Sequence, residues 1–302
     1  MTQRQLTGVR GATLVAKDIA EVAKAYTGGL HFSVTEETQV SPELAECWGA
    51  PSIAGQPMLI LAAANGNDWL RLVQDPSAVE FEPLKRLGWM SLEINVRDVD
   101  SLRQSAIDSG FEVIGEPAYL AMSDAIKAMQ LIGPAGEVCY MTQIDREVPP
   151  FELPQTNAKT GDLFIPVLAC ADRDQTSDFY QDLHQADKPL KFDTKVTVLN
   201  RAWKRPIDSQ YPLATLQMGG LSCFEFDQLP QASANHLSQS GLPSGIAIIT
   251  LEVQDLDAIA KRINCPVFEF DETISYQSRR CIMLKGPSGE WLELIAQKAT
   301  TS

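Results

Sequence analysis

The side chains best placed to move protons in this sequence are three glutamates and a tyrosine set inside strand-like segments. Glu93 lies in Met90 to Val96, where Leu92, Ile94 and Val96 share one face and Ser91, Glu93 and Asn95 the other. Glu293 alternates with Leu292 and Leu294, Tyr140 with Cys139 and Met141, and Glu225 falls in the segment Leu221 to Asp227. A carboxyl group desolvated by apolar neighbours has its pKa raised toward neutrality, which suits it to general acid or base work. Arg71, in the segment Trp69 to Gln74, has the fork that anchors an anion or a carbonyl.

The other chemically versatile residues offer less. There are three histidines, His31, His184 and His236, and none has a carboxylate or thiol at ligand spacing. The six cysteines form no CxxC pair and read as reduced packing thiols, which points to the cytoplasm. Net charge is −14, a surface that repels phosphate backbones and anionic bilayers, so neither nucleic acid nor membrane is an expected partner. No apolar run reaches bilayer length, and the first residues lack the apolar core of a signal peptide.

The elements that position these residues come from a duplication. Leu131-Ile-Gly-Pro-Ala-Gly-Glu-Val-Cys-Tyr-Met141 returns as Leu284-Lys-Gly-Pro-Ser-Gly-Glu-Trp-Leu-Glu-Leu294, each a strand, a tight turn and a strand. Asp18 and Asp172 stand before matching helices, and Val96-x-Asp98-x-Asp100 matches Val253-x-Asp255-x-Asp257. Pro149-Pro150 and Pro154 mark a linker. A chain of 302 residues with this pattern predicts an α+β fold of four βαβββ modules in two domains: 1–145, a linker at 146–160, and 161–302. Ser41 to Trp48 reads as a helix inserted in the first module. Residues 194–217, with Arg201, Trp203, Arg205 and Tyr211, read as a lid over the third module or a contact in a homodimer.

These openings, Val-x-Asp-x-Asp segments and Gly-Pro-x-Gly-Glu closings resemble the vicinal oxygen chelate superfamily of glyoxalases, bleomycin-resistance proteins and extradiol dioxygenases. The resemblance implies paired modules whose sheets curl into cups, with helices outside and a small molecule inside. It also implies a divalent metal held from the first strand (His or Gln) and last strand (Glu) of each module. Here the matching first-strand positions are Gly11, Ser91, Ile165 and Ile248, and the last-strand positions Arg71, Tyr140, Glu225 and Glu293. With no histidine among the eight, no metal and no other cofactor is expected.

Carried over in this way, with strand alternation choosing the inward residues, one cup holds Thr13, Arg71, Ser91, Glu93, Asn95 and Tyr140, and the other Ile165, Val167, Glu225, Ile248, Thr250 and Glu293. Arg71 with Glu93 is either a buried ion pair or an anchor and a base, with Tyr140 as proton donor. Glu293, facing isoleucines and near Glu225, is either a base of raised pKa or the remnant of a lost metal site. Ser91, Ile165, Ile248, Thr250 and Trp203 would line the ligand. The function that follows is metal-independent proton transfer of lyase, isomerase or dehydratase type on an apolar, aromatic or alicyclic molecule. The alternative is a cup that binds and sequesters its ligand without chemistry, and a metal-dependent dioxygenase or glyoxalase ranks third.

Overall fold

The computed structural model describes residues 3–121, 123–235, 237–270, 276 and 278–298. Each module opens with a strand whose end feeds an aspartate-capped helix. Strand β1 (Leu6–Ala16) leads to α1 (Ile19–Gly29), β5 (Gly88–Val96) to α3 (Val99–Asp108), β9 (Thr160–Cys170) to α4 (Arg173–His184), and β13 (Gly245–Val253) to α6 (Leu256–Ile263). Asp18, Asp98, Asp172 and Asp255 each accept backbone N–H bonds from the first turn of their helix, worth about 1 kcal/mol apiece. The repeated aspartates of the sequence are therefore caps.

The first module continues through β2 (Ser33–Gln39), α2 (Pro42–Cys47), β3 (Pro57–Ala62) and β4 (Asp68–Gln74), and the second through β6 (Glu112–Leu120), β7 (Ser123–Ile132) and β8 (Val138–Ile144). The third holds β10 (Leu190–Lys195), α5 (Thr197–Ala202), β11 (Gln210–Gln217) and β12 (Cys223–Gln228), and the fourth β14 (Phe268–Glu269), β15 (Arg280–Lys285) and β16 (Trp291–Ala296). The expected lid is thus a helix and a strand, with Trp203 closing α5 and donating to the Leu84 carbonyl at 3.0 Å.

Two eight-stranded sheets result. One runs β14-β15-β16-β13-β1-β4-β3-β2 and the other β10-β11-β12-β9-β5-β8-β7-β6. Modules one and four share a sheet through antiparallel β1 and β13, and modules two and three through antiparallel β5 and β9. The expected cups, which grouped Thr13 and Arg71 with Glu93 and Tyr140, are corrected by this pairing. A repeat in sequence says that modules are alike; it does not say which open first strand closes against which. The strand faces carrying Leu92, Ile94, Met141, Phe224, Leu251 and Leu294 meet helices α1, α3, α4 and α6, with Tyr26 and Tyr180 from α1 and α4, in one shared core. The opposite faces form two separate apolar clusters, one per sheet.

The Gly-Pro-x-Gly-Glu turns serve that core. Gly136 and Gly289 take φ of +77° and +78°, and the following strand positions depend on that left-handed step. Glu137 and Glu290 fold back to accept the amides of Ala135 and Ser288 at 2.9 and 2.8 Å. Their carboxylates sit where a Cβ on Gly133 or Gly286 would come within about 2 Å, so glycine is required there too.

Candidate functional site

Four inward side chains meet at the centre of the first sheet. Register places Thr13 beside Arg71 on β1 and β4, and Thr250 beside Glu293 on β13 and β16. Arg71 donates to Thr13 Oγ1 at 2.9 Å, to the Tyr276 hydroxyl at 2.6 Å and to Glu293 Oε2 at 3.1 Å. Glu293 also accepts from Thr250 at 2.7 Å, Tyr276 at 2.5 Å and the Trp48 indole at 3.1 Å. The Arg71 guanidinium lies 4.7 Å from the Trp48 ring centroid, and Trp48 and Glu293 have no exposed surface. Helix α2 and Trp48 plug this cup, leaving beside Arg71 and Glu293 a void of about 30 Å³, enough for one water.

Burial alone would push the Glu293 carboxyl up, as the sequence suggested. The Arg71 charge and the bonds from Tyr276, Thr250 and Trp48 outweigh it and hold the carboxylate below its ordinary range. A general base of raised pKa is therefore not what Glu293 provides. Arg71 pairs with Glu293, not with Glu93, and Ile248 is buried in the packing of the plugged cup.

The second sheet presents different chemistry at the corresponding places. Glu93 is beside Tyr140 on β5 and β8, and Val167 beside Glu225 on β9 and β12. Asp227, two residues beyond Glu225 on the same strand face, joins them, and Thr142 donates to Glu93 Oε1 at 2.7 Å. Glu225 and Glu293, expected to share a site, lie on different sheets. Burial lifts Glu93 to about 7 against the Thr142 bond, and lifts Asp227 to about 7 with the Glu93 charge adding and a Glu225 bond opposing. Burial, then the charges of Asp227 and Glu93, raise Glu225 well above the carboxylate range. Burial and the three acids raise the Tyr140 phenol too, so it stays protonated. Among the described residues no cation acts on any of the three carboxyl groups.

In this cup some of the central polar side chains reach solvent. Glu93, Tyr140 and Glu225 keep partial exposure, whereas Arg71 and Glu293 are buried. Its walls are Val138, Ile165 and Val167, with Leu199 and Trp203 packed on the same cluster from α5. Ser91 is fully buried on the Glu93 face, and its hydroxyl has no partner. Asp227 and Trp48 were not anticipated. Asp227 was findable from its two-residue spacing to Glu225, while nothing in the sequence marks Trp48 as a partner of Glu293.

The register corrects the four first-strand positions assigned by resemblance. The first-strand neighbours of Arg71, Tyr140, Glu225 and Glu293 are Thr13, Glu93, Val167 and Thr250, each two residues beyond the position assigned. A divalent metal does not fit the first cup, because a guanidinium already neutralises its one carboxylate and the remaining donors are hydroxyls. Among the described residues no group of three or more His, Cys, Asp or Glu side chains is arranged to hold a metal ion.

Solved structures of other proteins share this fold over nearly the whole chain. Glyoxalase I from Zea mays matches with a TM-score of 0.58 at 14% identity, over 96% of this chain and 92% of that one. A Bacillus subtilis protein assigned as a dioxygenase matches with a TM-score of 0.62 at 10% identity, over 97% and 86%. The chain has the vicinal oxygen chelate fold. No family model and no curated protein matches its sequence. At such identities the likeness shows the fold and leaves the site and its chemistry to the side chains. No helix among the described residues is long and apolar enough to cross a membrane.

Proposed function

We propose that the chain is an enzyme of lyase or isomerase type whose chemistry is proton transfer in the cup of the second sheet, on a small molecule with an apolar body. The observation that carries this reading is the group of Glu93, Glu225 and Asp227, three carboxyl groups with raised pKa beside a protonated Tyr140, with no cation acting on them among the described residues. Glu93, at about 7, is divided between its two protonation states near neutrality and is suited to take a proton from carbon or a hydroxyl. Tyr140 and the protonated Glu225 are donors to charge that develops on a substrate oxygen. Val138, Ile165 and Val167 supply the apolar wall. Arg71, Thr250 and Glu293 belong, in this reading, to the structure of the plugged cup.

The test is hydrogen exchange in deuterated water on a panel of cyclic ketones and hydroxy ketones, followed by NMR with wild-type protein and Glu93→Gln. The expected result is exchange or elimination by the wild type that falls at least about 100-fold in the variant, with ligand affinity retained. Binding with no turnover in either protein would replace this reading with the sequestering one.

A further inference from the structure

The second cup holds more unanswered polar groups than proton transfer requires. Glu225 and Asp227 lie two residues apart on one strand face, and burial with the nearby Asp227 charge holds Glu225 protonated. Asp227 Oδ1 is buried without a hydrogen-bond partner, on a residue 1% exposed. The Ser91 hydroxyl, on the same sheet face as Glu93, is fully buried and unpartnered. Thr215, directly across from Glu225 in the β11–β12 register, is 8% exposed and its hydroxyl is also unpartnered. Buried polar atoms are nearly always satisfied, so several acceptors left open on one inner face point to a ligand that supplies donors.

We infer that the ligand of this cup is a small organic cation, a protonated amine on an apolar body, with its ammonium held by Glu225 and Asp227 and its body against Val138, Ile165 and Val167. This rests on the reading that the second cup is the ligand site and adds the substrate class to it. An ammonium brings up to three N–H donors for the acid group and for the open oxygens of Asp227 and Thr215, which lie on adjacent strands. Its charge supplies the counter-ion that the acid group lacks among the described residues. An anion would meet three carboxyl groups and, among the described residues, no cation acting on them. A bare metal ion is disfavoured because no group of three such side chains among the described residues is arranged to hold one. The tyrosine face of Tyr140 and the Trp203 indole bordering the same cluster add the aromatic surface that cations prefer. The net charge of −14 draws cations toward the molecule from a distance. Glu93 is left free to act as the base, with Tyr140 as the donor once Glu225 is engaged by the ammonium.

The experiment compares three probes of one shape by calorimetry near neutral pH: cyclohexylamine, cyclohexanol and cyclohexanecarboxylate, with manganese(II) chloride alone as a fourth. The inference expects the amine to bind at least about tenfold more tightly than the alcohol, with the carboxylate not detected. In the pair of variants Glu225→Gln and Asp227→Asn the amine should weaken by at least about tenfold while the alcohol changes by less than about twofold. Equal or tighter binding of alcohol or carboxylate would overturn the inference, as would an amine affinity indifferent to both variants. Manganese bound with the amine unable to displace it, or no amine binding at about 10 mM, would do the same. Failure here with Glu93-dependent exchange intact sinks only the cation. Loss of that exchange, with amine selectivity intact, sinks only the proton transfer.

Discussion

The Tyr180 hydroxyl, on α4 of the third module, donates at 2.9 Å to Oε1 of Glu290, in the turn of the fourth. Both residues are fully buried. The first half of the chain mirrors this: Tyr26 of the first module reaches the turn of the second, where Cys139 Sγ lies 3.3 Å from its hydroxyl and buried Glu137 acts on it. The helix layer therefore ties together modules that are consecutive in sequence, while the sheets pair modules across the two halves. Each module is held by two different neighbours.

That arrangement predicts a cost for Tyr180→Phe out of proportion to one lost hydroxyl. Burial already raises the Glu290 carboxyl against the bonds it accepts, and the variant removes its one side-chain donor. A buried acceptor left unpaired costs about 1–3 kcal/mol. Denaturant unfolding should show that loss, with Glu290→Gln milder because an amide can still accept from Tyr180. A Tyr180→Phe loss below about 0.5 kcal/mol would mean that water or another donor takes the hydroxyl's place.

The sequence carried the modules and their order because capped helices and Gly-Pro-x-Gly-Glu turns are local chemistry, written within a few residues. It did not carry the partner of each first strand. Leu14 and Leu92, Thr13 and Glu93 have the same alternation whichever sheet receives them, so choosing between β13 and β9 as neighbours needs the whole tertiary assembly. The candidate site divides along that line. Glu93 with Tyr140 was legible because both lie in one module, whereas Arg71 with Glu293 spans 222 positions and a module pairing that no local pattern states. The direction of the Glu293 shift followed from the same gap. Its desolvation could be read from its apolar neighbours, but its counter-ion could not.

Arg71 and Glu293 should behave as one unit in stability. Arg71→Met leaves a carboxylate with no exposed surface and without its directly bonded cation, Arg279 acting on it only at longer range, for which about 3–5 kcal/mol is expected. Arg71→Met combined with Glu293→Gln should cost clearly less than the sum of the two single changes, giving a coupling of about 1–3 kcal/mol in a double-mutant cycle. Additive effects would mean that Thr250, Tyr276 and Trp48 suffice to hold the carboxylate.

Cys47 on α2 and Cys281 on β15 lie with their sulfurs 3.7 Å apart, both buried in the plugged cup. Diamide, an oxidant of thiol pairs, should join them and convert two thiols to one disulfide as two hydrogens pass to the reagent. Peptide mapping should then find the 47–281 link, and the oxidised protein should melt higher because the plug is fastened to the sheet that carries Glu293. Cys265 is partly exposed, and its alkylation by iodoacetamide in the native protein should precede that of Cys47 and Cys281.

The acid group of the second cup should make the protein less stable as pH rises toward and through 7. Glu93 and Asp227 titrate at about 7 in the folded chain and near the ordinary carboxylate values when unfolded. Between those values the native state binds more protons than the unfolded state, so unfolding free energy falls as pH climbs, and it levels off above about 7. Glu293 acts in the opposite sense. Its folded pKa is depressed, so its contribution is complete above the unfolded value and is lost as pH falls through the folded one. Together these groups place the stability maximum on the mildly acidic side of neutrality. Asp227→Asn should therefore stabilise the protein at pH 8 by about 1–2 kcal/mol and change it little at pH 5, where the native carboxyl is already protonated. Thermal melts of both proteins across that range decide the matter. A variant less stable at pH 8 would mean that the Asp227 charge is answered there by a group not facing it in this structure, and that the second cup holds its own cation.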